Sequence, residues 1–186
     1  YMHSDLGGFA GANDDPELYV RWLQYGVFQP IFRPHAQQEV ASEAIFKDEK
    51  TKQLAKEAIE LRYQMLPYNY SLAGAAYHNN YTIMRGLAMD FAKDTAVLNI
   101  GDQYMFGSSL LINPVIAYKQ TKRSVYLPKN NGGWYDLYTG KWYAGAQTMM
   151  ADAPYERMPV FVKAGSIIPF GPELQYVSEK QADTIM

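Results

Sequence analysis

The hydrophobic pattern of this chain changes period partway along, and that change limits the folds open to it more than any other feature. Up to about residue 80, apolar residues recur mostly at helical spacing. After about residue 100 the chain breaks into short strand-like runs punctuated by turn residues. Two structural regimes are therefore expected in succession.

In the first regime, a strand end leads into the flexible loop Gly7-Gly8-Phe9-Ala10-Gly11. Asp15-Pro16-Glu17 is a helix start: an acidic N-cap, a proline at the first helical position, and an acid near the positive end of the dipole. Asp14, Asp15 and Glu17 are thus helix-start residues rather than catalysts. The spacing predicts a helix over Pro16–Tyr25, with Leu18, Trp22 and Tyr25 on one side and Gly26 as terminator. Phe28-Gln29-Pro30-Ile31-Phe32-Arg33 reads as a short buried strand, followed by a polar loop from His35 to Lys47. Leu54, Ala58, Leu61 and Met65 form the apolar stripe of a long helix starting near Asp48. Pro67 should kink or end it, and Tyr68 to Tyr77 continues as a second helical piece. The order strand–loop–helix–strand–loop–helix indicates a parallel α/β architecture. Two such units are too few to close a barrel or complete a doubly wound sheet.

In the second regime the strand-like runs are 103–106, 109–115, 123–127, 134–138, 141–144 and 160–163. Thr139-Gly140 between two aromatic runs is a hairpin signal, and Asn130-Asn131-Gly132-Gly133 and Lys163-Ala164-Gly165 are turns. An antiparallel β-sandwich is expected. Trp134, Tyr135, Trp142 and Tyr143 are read as cross-strand packing, with a sugar-stacking platform as the alternative.

Composition excludes several classes of function. Of the 186 residues, 48% are apolar and 19% charged, which is ample for a packed core. A net charge of −2, with no cluster of five or more Lys/Arg, argues against nucleic acid as a partner. There is no cysteine, hence no disulfide, thiolate nucleophile or thiolate metal site. No apolar run approaches the ~18–20 residues of a membrane span. His3, His35 and His78 lack metal-ligand spacing, so no metal and no cofactor is expected. Gly7-Gly8 is followed by no P-loop Lys-Ser/Thr, so it is not a phosphate loop. The 16 Tyr, 8 Phe and 3 Trp suit stacking on sugar rings, and equally suit cores and strands.

In a parallel α/β barrel, functional groups stand on the loops after the strands. His3-Ser4-Asp5-Leu6-Gly7-Gly8-Phe9 and Phe32-Arg33-Pro34-His35 occupy such places. Asp5 accepts hydrogen bonds, Arg33 donates them, His35 does either, and Phe9 offers an apolar wall, a set suited to sugar hydroxyls. Pairing of Asp5 with Arg33 merely to fix the loops is as good a reading from spacing.

Asp5-Leu6-Gly7-Gly8-Phe9, Pro16-Glu17-Leu18-Tyr19-Val20-Arg21-Trp22 and Phe32-Arg33-Pro34-His35 together resemble glycoside hydrolase family 31, the α-glucosidases, α-xylosidases and α-transglucosylases. The similarity continues through Leu61-Arg62-Tyr63, Leu66-Pro67-Tyr68, Met84-Arg85-Gly86-Leu87, Asp102–Gly107 and Pro159–Gly165, so it covers nearly the whole chain. It implies that residues 1–88 are the last two βα units of a TIM (β/α)8 barrel, with strands seven and eight ending near Asp5 and Arg33. It implies that residues 89–186 are the proximal C-terminal β-sandwich. By resemblance, Asp5, Phe9 and His35 line the sugar pocket and Arg33 supports it. The partners implied are an oligosaccharide substrate and the remainder of the parent barrel. The family's aspartate nucleophile and acid/base precede the Gly-Gly-Phe motif, and neither motif occurs here, so this chain carries no catalytic carboxylate and the chain alone is expected to be inactive. The opening Tyr1-Met2-His3-Ser4-Asp5, without a signal-peptide pattern, reads as a strand entered partway, hence a fragment. The motifs around Asp5 and Arg33-Pro34-His35-Ala36-Gln37 are similar to those of bacterial α-glucosidases and 4-α-glucosyltransferases. The stretch from Tyr77 into the sandwich, ending in Ser178–Asp183, is more similar to bacterial α-xylosidases. The pocket loops favour glucose. The rival from another class is a non-catalytic carbohydrate-binding or structural β-domain with helical decoration.

Overall fold

The computed structural model describes residues 3–11 and 15–179. Asp14 and the stretch Lys180-Gln181-Ala182-Asp183 lie outside the described residues. The chain forms two compact units, one from residues 1–81 and 168–186, the other from residues 82–167.

In the first unit, helix α1 spans Pro16–Val27. The Asp15 carboxylate caps it, accepting from the backbone N–H of Glu17 at 2.8 Å and of Leu18 at 3.3 Å. The buried face is Tyr19, Val20, Leu23 and Val27, not the stripe of Leu18, Trp22 and Tyr25. Leu18 is exposed, while Trp22 stands at the margin of the core, where its indole N–H donates to Ser4 Oγ at 3.0 Å. Nor does Gly26 terminate the helix, which runs through it to Val27. A Cβ at this buried glycine would lie 2.3 Å from Leu6 Cδ1 and 3.1 Å from Phe32 Cδ2, so its absence lets the helix approach both loops.

Residues 28–31 form a turn and bends, and 32–33 are irregular, rather than the expected strand. Only Pro34 pairs, in one parallel bridge with Leu6. Pro30 and Pro34 remove ladder donors, and the carbonyls of Gln29 and Pro30 are taken by Arg62 instead of by a neighbouring strand.

Helix α2 spans Glu49–Gln64. Its N-cap is Asp48, whose carboxylate accepts from Thr51 N–H at 3.1 Å and from the Thr51 hydroxyl at 2.6 Å. These bonds hold the Asp48 carboxyl below its ordinary pKa. Thr51, Leu54, Ala55 and Ala58 are buried. The helix breaks at Met65, and α3 (Leu66–Asn79) begins with Pro67 in its first turn, where no amide donor is needed. Asn80 closes α3 in the left-handed conformation, at φ 53°. Beyond Ile167 the chain returns to this unit: Gly171 N–H donates to the Gln64 carbonyl at 2.7 Å.

The second unit is built of short antiparallel strands: β1 (Met84–Gly86), β2 (Tyr104–Phe106), β3 (Leu110–Ile112), β4 (Lys122–Leu127), β5 (Trp134–Asp136), β6 (Trp142–Tyr143), β7 (Gln147–Asp152) and β8 (Val160–Lys163). Six of them form one sheet in the order β1-β2-β3-β8-β5-β6, and β4 pairs with β7. The core draws on both sheets: Met105, Leu111, Trp134 and Phe161 from the larger, Val125, Leu127 and Ala151 from the smaller. This is the packing of a sandwich.

Strands β1 and β7 escape a sequence reading. Gln147-Thr148-Met149-Met150-Ala151-Asp152 is nearly free of β-branched and aromatic residues, and pairing with all six residues of β4 makes it a strand. The β5–β6 hairpin forms, but Thr139-Gly140 is not a two-residue turn. Trp134 pairs with Tyr143 and Tyr135 with Trp142, so the loop is longer. Asp136 closes it, accepting from the N–H groups of Tyr138 and Thr139 and from the Thr139 hydroxyl, while Gly140 takes φ 68°. The four aromatics divide: Trp134 is fully buried and Tyr143 packs edge-on against Phe161 at 5.8 Å, whereas Tyr135 and Trp142 face outward.

Candidate functional site

The sequence-predicted residues Asp5, Phe9, Arg33 and His35 lie on two loops of the first unit that run side by side. Leu6 N–H donates to the Arg33 carbonyl at 3.2 Å, and His35 N–H donates to the Leu6 carbonyl at 3.3 Å. Farther out, Gln37 N–H donates to the Phe9 carbonyl at 3.1 Å. Leu6, fully buried, is the pivot of this pairing.

Two side-chain pairs follow from that register. Arg33 Nη1 stands 3.3 Å from Asp5 Oδ1, with both side chains substantially open to solvent. An ion pair so exposed contributes little to stability, ~0–1 kcal/mol. It leaves acceptor and donor positions on both groups facing outward. The Phe9 and His35 rings lie 5.6 Å apart at 46°. The four groups thus present a carboxylate, a guanidinium, an imidazole and an exposed apolar ring from two adjoining loops. His3, the fifth residue of the motif reading, is exposed, with its Nδ1 3.2 Å from the Ser4 carbonyl.

A supporting set holds these loops, and the motif reading does not single it out. Gly7 has φ 98°, and a Cβ there would meet the Tyr19 ring at 2.6 Å. The Tyr19 hydroxyl donates to the Ser42 carbonyl at 2.9 Å, and burial, with Glu43 nearby, pushes its pKa up to about 12. Ser4 is held twice: its N–H donates to Gln29 Oε1 at 3.4 Å and its Oγ accepts from Trp22. Arg62 donates to the carbonyls of Val27 (2.8 Å), Gln29 (2.6 Å) and Pro30 (2.9 Å). Burial pushes its pKa down to about 10, which leaves it charged at neutral pH. A signal for Arg62 exists in the sequence: it continues the buried stripe Thr51, Ala55, Ala58 at helical spacing, where a cation needs a partner.

Among the described residues, no group of three or more His, Asp or Glu side chains gathers to hold a metal ion. Among the same residues, no helix is long and apolar enough to cross a membrane.

Comparison with known proteins places this geometry in context. Residues 1–72 match the profile of the glycosyl hydrolases family 31 TIM-barrel domain. Residues 80–168 match that of the glycosyl hydrolase family 31 C-terminal domain. A probable glucan 1,3-alpha-glucosidase of Arabidopsis thaliana is 42% identical over 170 residues, 91% of this chain and 18% of the relative. The crystal structure of a GH31 alpha-xylosidase from Xanthomonas citri superposes with a TM-score of 0.83 at 45% identity, covering 88% of this chain and 18% of that one. A Flavobacterium johnsoniae GH31 dextranase, complexed with glucose, superposes with a TM-score of 0.90 at 37% identity, covering 97% of this chain and 23% of that one. The chain therefore spans less than a quarter of the length of these relatives.

Proposed function

The chain belongs to glycosyl hydrolase family 31, and from that premise we propose that it is the sugar-gripping end of a retaining α-glycosidase barrel followed by its β-sandwich. In this reading the parent enzyme hydrolyses, or transfers, terminal α-linked glucose from oligosaccharides. Asp5, Arg33 and His35 bind sugar hydroxyls, Phe9 walls the pocket, and the nucleophile and acid/base stand on barrel segments outside this chain. Retention needs two carboxyl groups ~5–5.5 Å apart across one glycosidic bond. Asp5 is engaged by Arg33, which suits a ligand-binding carboxylate better than a nucleophile.

The observation that carries the proposal is the parallel bridge between Leu6 and Pro34, which sets all four groups on adjoining loops at the ends of two would-be barrel strands. The rival reading, a self-contained carbohydrate-binding module, is disfavoured by the first unit. Ile45, Phe46, Tyr70 and Tyr77 stand 70–83% exposed there, large apolar side chains left uncovered. An α-xylosidase is the second enzymatic reading, favoured by the similarity to the Xanthomonas citri enzyme.

The test pairs kinetics with unfolding. The isolated chain should turn over no aryl α-glucoside, and in the full-length enzyme His35→Ala should lower kcat/KM for the natural glucoside roughly 2- to 150-fold, the range of one lost hydrogen bond to a sugar hydroxyl. The loss should shrink for a substrate lacking the contacted hydroxyl, with the melting temperature nearly unchanged. A variant with normal kinetics and a markedly lower midpoint would make His35 a core residue. A higher kcat/KM on α-xylosides than on α-glucosides would decide for the second reading.

A further inference from the structure

We propose that Arg62 is a positioning residue for sugar binding, clamping the segment that delivers Arg33 and His35; this rests on the reading that these loops hold the sugar. Arg62 sits in the last turn of α2, where its guanidinium faces the C-terminal end of α1 and the residues just after it. It grips three acceptors within four residues: the carbonyl of Val27, last residue of α1, and those of Gln29 and Pro30. None is a carboxylate: among the described residues this cation is balanced by carbonyl dipoles, while burial lowers its pKa.

What the clamp controls follows from connectivity. Pro30 is three residues before Arg33 and five before His35, and the intervening stretch has no strand ladder to hold it. Without Arg62, three carbonyls lose a charged donor for which the described residues supply no replacement. The second loop is linked as well. Gln29, whose carbonyl Arg62 holds, accepts the Ser4 N–H through its side chain, next to Asp5. One guanidinium therefore fixes the start of one sugar loop and, through Gln29, the approach to the other. Lysine would keep the charge but not the planar fork that reaches three acceptors at once.

The experiment uses the full-length enzyme that carries this chain, with Arg62→Lys and Arg62→Ala, each alone and combined with His35→Ala. Three quantities are read: kcat and KM on an α-glucoside, amide exchange at Leu6 and His35, and thermal unfolding. Arg62→Lys should lower kcat/KM about 10-fold, through KM more than kcat, because a binding loop is displaced while the chemistry is not. The combined variant should lose less than the product of the two single losses, since the clamp acts in part through the His35 contact that His35→Ala already removes. Exchange should rise at Leu6 and His35 while the middle of α2 stays protected. If Arg62→Ala fails to fold, Arg62→Lys carries the test. Strictly multiplicative losses in the combined variant, or unchanged exchange at both amides, would overturn the clamp. If His35→Ala alone leaves kcat/KM intact, it is the sugar-loop reading that falls, and the exchange data still decide whether Arg62 positions the loops.

Discussion

Replacing Gly26 with alanine sets two opposed effects against each other at one atom. In a helix interior, glycine to alanine gains about 1 kcal/mol from reduced backbone freedom in the unfolded chain and better helix propensity. At Gly26 the added Cβ would lie 2.3 Å from Leu6 Cδ1, with Phe32 Cδ2 at 3.1 Å on another side. Carbon atoms pack at ~3.5–4.0 Å, so the intrusion exceeds an ångström. Leu6 Cδ1 ends a flexible side chain, but Leu6 is 0% exposed and has little room to turn. Overpacking of this kind costs ~1–3 kcal/mol. The net change should therefore run from near zero to a loss of about 2 kcal/mol. Gly74, within α3, is the internal control, because a Cβ there meets nothing within 4 Å. Gly74→Ala should stabilise by about 1 kcal/mol, so the gap between the two variants isolates the steric cost. For a chain of this size each kcal/mol moves the thermal midpoint by roughly 2–4 °C. Because Leu6 also joins the two loops, Gly26→Ala should raise amide exchange at His35 and Gly74→Ala should not. Equal stabilisation by both substitutions would refute the reasoning, since it would mean that α1 and Leu6 are not in the close contact described.

Two further outcomes concern the sandwich. Trp134, fully buried and donating its indole N–H to the Pro128 carbonyl at 2.9 Å, should cost ~3–5 kcal/mol on replacement by alanine; half-exposed Trp142 should cost far less, and similar losses in chemical denaturation would remove Trp134 from the core. The Tyr126 hydroxyl is pushed up to about 12 by burial and by its hydrogen bond to Asp94. Its folded pKa lies above its unfolded value, so its contribution is fully present below the ordinary tyrosine pKa of 10.0 and is lost as pH rises toward about 12. Asp94 itself is depressed: the bonds from Lys129 N–H, the Tyr126 hydroxyl and Ala96 N–H outweigh the opposing effect of burial, so its contribution holds above the usual carboxylate range and fades as pH falls through it. Urea midpoints of wild type and Tyr126→Phe between pH 9 and 12 should fall less steeply in the variant, and parallel curves would dismiss the linkage.

Local chemistry carries a good part of this molecule legibly. Asp15 before Pro16, Asp48 before α2, Pro67 between α2 and α3, and glycines at 133, 140 and 165 sit where their backbone preferences alone place them. Six of the eight strands announce themselves by apolar and aromatic runs. The residues offered as sugar ligands are legible too, as polar groups following short apolar stretches and as members of family motifs.

Other features depend on partners distant in sequence. The buried face of α1 is chosen by tertiary partners, α2 and the loop residues Leu6 and Gly7 among them, not by the helix's own periodicity, which offers Leu18, Trp22 and Tyr25 just as well. Gly26 looks like a stop signal until the residue 20 positions earlier arrives beside it. β7 is a strand because β4 pairs with it. The parallel contact of Leu6 with Pro34, and the grip of Arg62 on the turn before it, follow from the same cause. Backbone hydrogen bonds between segments are made only when the chain brings the donors and acceptors together, so a sequence states what each residue prefers while tertiary structure decides which preference is satisfied.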